Sequence, residues 1–263
     1  MNRRDSIHLL VGTGALCGAP IVLAQVRDIN DAINKAGRQR MLSQRMAKSY
    51  FAMGQAVQAD AAEKILSASM ALFDRQLVEL KAFAPTLEIK STYAQLEVLW
   101  SDYKASLVGA NPSKPGAEQV ILRAGQVLTL ANQGTLQFEG VSGKSVGRLV
   151  NMSGRQRMLS QRMAAYYLSA SWGVQVATAT AEVHKAKEEF LKAHEVLKTA
   201  PVATDAIRAE LDLAGAQFTF FEAALRGLRP GTVDMLARAD VFTTSERILQ
   251  VMDTVTGMYA KIA

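Results

Sequence analysis

Apolar residues recur at three- and four-residue intervals through most of the chain, the spacing that gathers them on one face of an α-helix. Ile65, Leu66, Met70, Phe73, Leu77 and Leu80 form one such stripe, and Tyr93, Leu96, Leu99, Trp100, Tyr103 and Leu107 form the next. In the second half the stripes are Phe190, Leu191, His194, Leu197 and then Leu211, Leu213, Phe218, Phe221, Leu225. The pattern predicts helices near 28–57, 60–83, 88–108 and 117–140, and again near 145–178, 180–199, 203–226 and 232–262. Proline stops a helix by removing an amide donor, and glycine permits the turn that follows. Such breaks fall at matching places: Pro85 and Pro201, Gly109 and Gly227, Pro115-Gly116 and Pro230-Gly231. Long helices with short connections pack antiparallel. The expected fold is therefore all-α, two tandem antiparallel four-helix bundles spanning 25–140 and 141–263. Gly140, Gly143 and Gly147 lie at the junction, where a turn and a weak point in one continuous helix both fit.

The matching breaks reflect an internal repeat, the first thing a sequence should be searched for. Gly37 to Ala47 reads G-R-Q-R-M-L-S-Q-R-M-A, and Gly154 to Ala164 reads the same eleven residues 117 positions later. At about 100° per residue, Ile33, Gly37, Arg40, Gln44 and Ala47 share one helix face. A glycine in mid-helix costs roughly 1 kcal/mol relative to alanine, so its presence in both copies calls for a reason such as close helix approach. One turn later Arg40 and Arg157 point the same way. Met41, Met46, Met158 and Met163 read as core filler.

Composition supports the helical reading without changing it. The 263 residues are 49% hydrophobic, 21% charged and only 6% aromatic, and good helix formers outnumber β-branched runs. The net charge of +6 is spread among interleaved acids, with no run of Lys or Arg longer than two, so nucleic acid is not an expected partner. Residues 1–24 read as a secretory signal: Arg3 and Arg4, an apolar stretch from Ile7 to Leu23, and a small-x-small ending at Val22-Leu23-Ala24. The paired arginines also resemble a twin-arginine signal, although Ser6 stands where that signal has Phe. Cleavage near Ala24 would deliver a periplasmic chain without a thiol, because Cys17 lies in the removed segment.

Candidate chemistry is confined to the repeated helix. Arginine keeps its charge and presents a planar fork of donors suited to carboxylate, nitrate or phosphate oxygens. If the two copies face each other, Arg40 and Arg157 meet, and a small anion between them would turn their repulsion into attraction. Gly37, Arg40, Gly154 and Arg157 are the expected ligand-binding residues, with Arg38, Gln44, Arg155 and Gln161 secondary. The competing reading makes the same side chains a polar seam that fixes helix register or forms ion pairs with Glu and Asp. His184 and His194 do not share a helix face, and no metal-ligand spacing, phosphate loop or nucleophile elbow appears. No metal, no cofactor and no catalysis are expected.

The run from Asp31 to Met46, D-A-I-N-K-A-G-R-Q-R-M-L-S-Q-R-M, resembles the start of the PilJ-type sensor module of type IV pilus chemoreceptors. It is also similar to the first helix of the nitrate and nitrite sensor kinases NarX and NarQ. The likeness covers one module per half, with its specificity in this helix. It implies a four-helix sensor bundle in which Gly37 and Arg40, then Gly154 and Arg157, bind nitrate or nitrite at a paired interface. The flanking residues are closer to the pilus receptor, and no apolar run of membrane-spanning length follows. The expected protein is a periplasmic anion sensor accessory to a membrane sensor kinase, chemoreceptor or transporter, its modules pairing within one chain or as a homodimer. The alternative is a structural module that docks on a chemoreceptor or pilus component.

Overall fold

The computed structural model describes residues 25–231 and 234–262; the expected secretory signal lies outside them. The protein is 85% helical, with eight helices and no strand among the described residues. They are α1 (Ile29–Gly54), α2 (Ala59–Phe83), α3 (Leu87–Val108), α4 (Lys114–Ser142), α5 (Ser145–Ser171), α6 (Val176–Lys198), α7 (Asp205–Arg226) and α8 (Met235–Ala260). None is long and apolar enough to cross a membrane.

Local sequence sets the boundaries. Thr86 and Thr204, just beyond the two prolines, cap α3 and α7 by accepting from Ile89 N and Ile207 N. Ser113 caps α4 and Asp234 caps α8 in the same way. Pro115-Gly116 falls inside the first turn of α4, whereas Pro230-Gly231 precedes α8, so this pair of landmarks is not structurally equivalent. The junction is a turn: Gly143 takes a left-handed φ of 61° and ends α4, and α5 begins two residues later.

α1 packs on α2 and α4, and α3 closes the first bundle against them; α5 to α8 repeat this arrangement. The aromatic cores match. Phe73 stacks on Trp100 at 4.2 Å between centroids, and Phe190 stacks on Phe218 at 4.4 Å. Leu191 and Leu213, expected in the apolar stripes, face solvent instead, because each lies about 100° round its helix from a packed neighbour, Phe190 and Ala214 respectively. The most extensive contact in the molecule is between α1 and α5, which also touch α8 and α4 respectively. Two bundles are thereby joined into one body, with both copies of the repeated helix in the middle. That position explains a composition an amphipathic helix could not tolerate: Gln39, Arg40, Ser43, Gln44, Lys48 and Ser49 are all buried on α1.

Candidate functional site

At the crossing of α1 and α5 the two mid-helix glycines abut. A Cβ on Gly37 would stand 3.9 Å from the Cα of Gly154, 3.2 Å from Arg40 Nη2 and 3.6 Å from Arg157 Nη2. A Cβ on Gly154 would meet Arg157 Nη2 at 3.1 Å and Arg40 Nη2 at 3.7 Å. The glycines thus create the space in which the two guanidiniums lie, no more than about 7 Å apart, where bare like charges repel by roughly 2 kcal/mol at an effective dielectric of 20. Arg40 and Arg157 are both 0% exposed. The four residues expected from the sequence therefore converge on one point.

The backbone contacts of the two arginines are reciprocal. Arg40 Nη2 donates to the carbonyl of Asn151 at 3.1 Å, and Arg157 Nη2 donates to the carbonyl of Asn34 at 3.1 Å. Their remaining partners differ. Arg157 Nη1 donates to Asp253 Oδ1, which also accepts from Arg38 Nη2 at 2.9 Å. Arg40 Nη1 donates to Asn132 Oδ1 at 2.9 Å, and Arg155 Nη1 donates to the same oxygen at 3.3 Å. Arg40 Nη2 also donates to Asn151 Oδ1 at 2.6 Å. Arg157 is thus ion-paired, whereas Arg40 makes no ion pair among the described residues. The acid that acts on it most strongly is Glu139, to which Asn151 Nδ2 donates.

Electrostatics follow the geometry. Burial, reinforced by the Arg155 and Arg157 charges, lowers the Arg40 pKa from 12.5 to about 9, against a weaker pull from Glu139. Burial lowers Arg157 only to about 10, because Asp253 opposes it. Burial pushes the Asp253 carboxyl up, but Arg157 and Arg38 outweigh it and hold the group at about 2. The Nε atoms of both buried arginines, both polar atoms of Gln39 and the Tyr93 hydroxyl have no hydrogen-bond partner. Such groups are rare in folded proteins and mark strain, unseen solvent or a ligand site.

The secondary residues divide. Arg38 and Arg155 join the central cluster. Gln44 Nε2 donates to the Ala124 carbonyl and Gln161 Nε2 to that of Ser245, so these amides fasten α4 and α8 one turn further along rather than reaching the arginine pair. Asn34, Asn151, Asn132 and Asp253 were not singled out from the sequence. The first two keep the 117-residue offset and were findable by extending the repeat three residues toward its N-terminus. Asn132 and Asp253 were not, because the last helices of the two halves are offset by 121, as their equivalent partners Ala124 and Ser245 are.

Fold and seam together define a class: an all-α chain in which one bundle, repeated, is joined along a buried arginine-bearing helix pair. The chain belongs to the PilJ family, the type IV pili methyl-accepting chemotaxis transducer N-terminal domain, which matches residues 21–134 and 142–257, once in each half. Each half is a sensor-type module of that signalling family. No curated protein and no solved structure matches the chain.

Proposed function

We propose that the protein is an exported, non-catalytic sensor that binds one small anion, of nitrate or nitrite chemistry, at the seam between its modules. As an accessory of a membrane sensor kinase, chemoreceptor or transporter, it would report occupancy through the α1–α5 contact. The observation that carries this reading is Arg40, a fully buried guanidinium facing amide and carbonyl oxygens but no carboxylate. Around it, four guanidiniums (Arg38, Arg40, Arg155, Arg157) are answered by three carboxylates, Asp253, Glu189 and Glu139. Removing a charge from water without full compensation is costly, and a bound anion supplies the missing charge while exploiting the planar donor fork. The two modules of one chain would then provide both arginines of the site.

A second reading has its own observation. Arg157 is paired with Asp253, and Arg45 and Arg162 are paired with Glu246 and Glu182. In that reading the arginines are structural and the tandem bundle docks on a chemoreceptor or pilus component. Calorimetric titration with nitrate, nitrite, chloride and sulfate separates the two. The sensor reading expects saturable heat for nitrate or nitrite near one per chain. Binding should weaken at least roughly tenfold in Arg40→Lys, which keeps the charge and loses the fork. Absence of heat with every anion would sink it in favour of docking.

A further inference from the structure

The two halves of the seam differ at the polar position that lies between each pair of arginines. Equivalent contacts give the register. Gln44 and Gln161 reach Ala124 and Ser245, which sets an offset of 121 between α4 and α8 and makes Asn132 the counterpart of Asp253. The bonding confirms the equivalence. Asn132 Oδ1 accepts from Arg40 and Arg155, and Asp253 Oδ1 accepts from Arg157 and Arg38, the repeat counterparts of those two arginines. One half of the seam therefore holds a carboxylate between its two arginines, and the other holds a neutral amide at the same place.

Two further substitutions fall on the amide side. The first-turn residues Ile89 and Ile207, each bonded to its capping threonine, align α3 with α7 at an offset of 118, so Tyr93 stands where α7 has Leu211. Its ring lies against Gly134, where a Cβ would meet it at 2.8 Å, and the counterpart of Gly134 on α8 is Val255. The Tyr93 hydroxyl is buried without a partner and within reach of the Arg40 charge. Asn132 and Arg155 line a cavity of about 230 Å³ with Arg162, Lys185, Glu182 and Glu189, and Asp253 and Arg38 line the corresponding cavity of about 450 Å³ on the other side, so both halves can be reached from solvent. The half with the neutral amide thus carries one buried donor more, the Tyr93 hydroxyl, while its Arg155 is paired with Glu189 on the side away from Asn132.

Resting on the anion-sensor reading above, we infer that the chain has a single ligand site, on the Arg40–Arg155 side, and that Asp253 is a built-in anion filling the equivalent site on the Arg157–Arg38 side. The internal occupant also states the chemistry of the ligand. A group that takes the place of the one carboxylate oxygen shared by two guanidiniums is a small monoanion that accepts several hydrogen bonds, such as nitrate, nitrite, formate or acetate. A dianion such as sulfate brings one charge more than the Asp253 carboxylate does. Asn132 would yield its place, or part of its bonding, to the incoming oxygens.

The test exchanges the two residues. Asn132→Asp, Asp253→Asn and the double exchange are titrated by calorimetry with the sodium salts of nitrate, nitrite, formate and acetate, with chloride and sulfate as contrasts. Melting is followed in anion-poor buffer. Asn132→Asp should weaken binding on the order of 100-fold, since a fixed carboxylate competes for the same charge-assisted bonds, and should raise the melting temperature. Asp253→Asn should bind two monoanions per chain, and added ligand should recover its melting temperature. The double exchange should bind one. Undiminished binding by Asn132→Asp, or two sites in the unaltered protein, overturns the single-site assignment while leaving an anion sensor in place. No binding by the unaltered protein or by Asp253→Asn overturns the sensor reading itself, and this assignment with it.

Discussion

Single positions show where the two copies have diverged without changing the fold. The loop after α1 places Ala56 at φ 55°, and the loop after α5 places Gly173 at φ 81° in the equivalent position. A left-handed conformation is strained for alanine and free for glycine. Ala56 is also exposed, so its methyl contributes little packing. Ala56→Gly should therefore stabilise the protein by about 1 kcal/mol, read as a higher urea midpoint with an unchanged slope. Two residues earlier the sign reverses. A Cβ on Gly54 would fall 2.1 Å from the Trp172 ring that closes over it from the end of α5. Gly54→Ala should cost about 2 kcal/mol in the same measurement. Glycines of this kind were only partly legible in the sequence. Gly37 and Gly154 were, because a repeated mid-helix glycine beside a repeated arginine implies a close crossing. Gly54 was not, because its reason is a tryptophan 118 residues away whose position depends on the packing of α5 against α1.

At the scale of helices, hydrophobic periodicity located all eight elements; threonine, serine and aspartate caps set the starts of α3, α4, α7 and α8, while the α5–α6 turn at Trp172–Gln175 falls inside the stretch expected to be helical. The central pair was harder to read, since α1 and α5 bury polar side chains on several faces and offer no single apolar stripe. Their ion pairs also run in different directions, which no repeat could reveal. On α1, Arg38, Arg45 and Lys48 reach across to Asp253 and Glu246 of α8. On α5, Arg155 and Arg162 reach Glu189 and Glu182 of the neighbouring α6. Lys48 has no counterpart in the second copy, where Ala165 stands in its place. It is fully buried, bonds Ser245 at 3.0 Å and Glu246, and lies 4.5 Å over the Phe242 ring. Glu246 is held by Arg45 as well, so Lys48→Met removes a buried charge without orphaning its partner. That change should be neutral or stabilising by about 1 kcal/mol, whereas Glu246→Gln strands a buried ammonium and should cost about 3 kcal/mol. Chemical denaturation of both variants checks the contrast, and equal losses would contradict it.

The same acids that tie α1 to α8 make the stability of the whole molecule depend on pH, because they lie on the attachment between its halves. Burial pushes Glu246 up, but Lys48 and Arg45 outweigh it and hold its carboxyl at about 2, below the ordinary 4.5. Asp253 is likewise held at about 2, below 3.8. A carboxyl with a lowered folded pKa contributes stability that is complete above its unfolded value and disappears as pH falls toward the folded one. The melting temperature should accordingly drop between pH 4.5 and pH 2, and the drop should be shallower in Asp253→Asn. Lys48 acts at the other end. Burial lowers its pKa from 10.5 to about 8 despite Glu246, so below pH 8 the folded state bears the full cost of the buried ammonium. Above pH 8 the folded chain releases that proton while the unfolded chain keeps it, and stability rises with pH. Arg40, lowered to about 9, adds a smaller share that grows toward pH 9 and above. Between pH 8 and pH 9 Lys48 therefore supplies the larger part of the rise. Melting curves across that interval should climb for the unaltered protein and climb less for Lys48→Met, and an equal climb in the variant would assign the effect to another group.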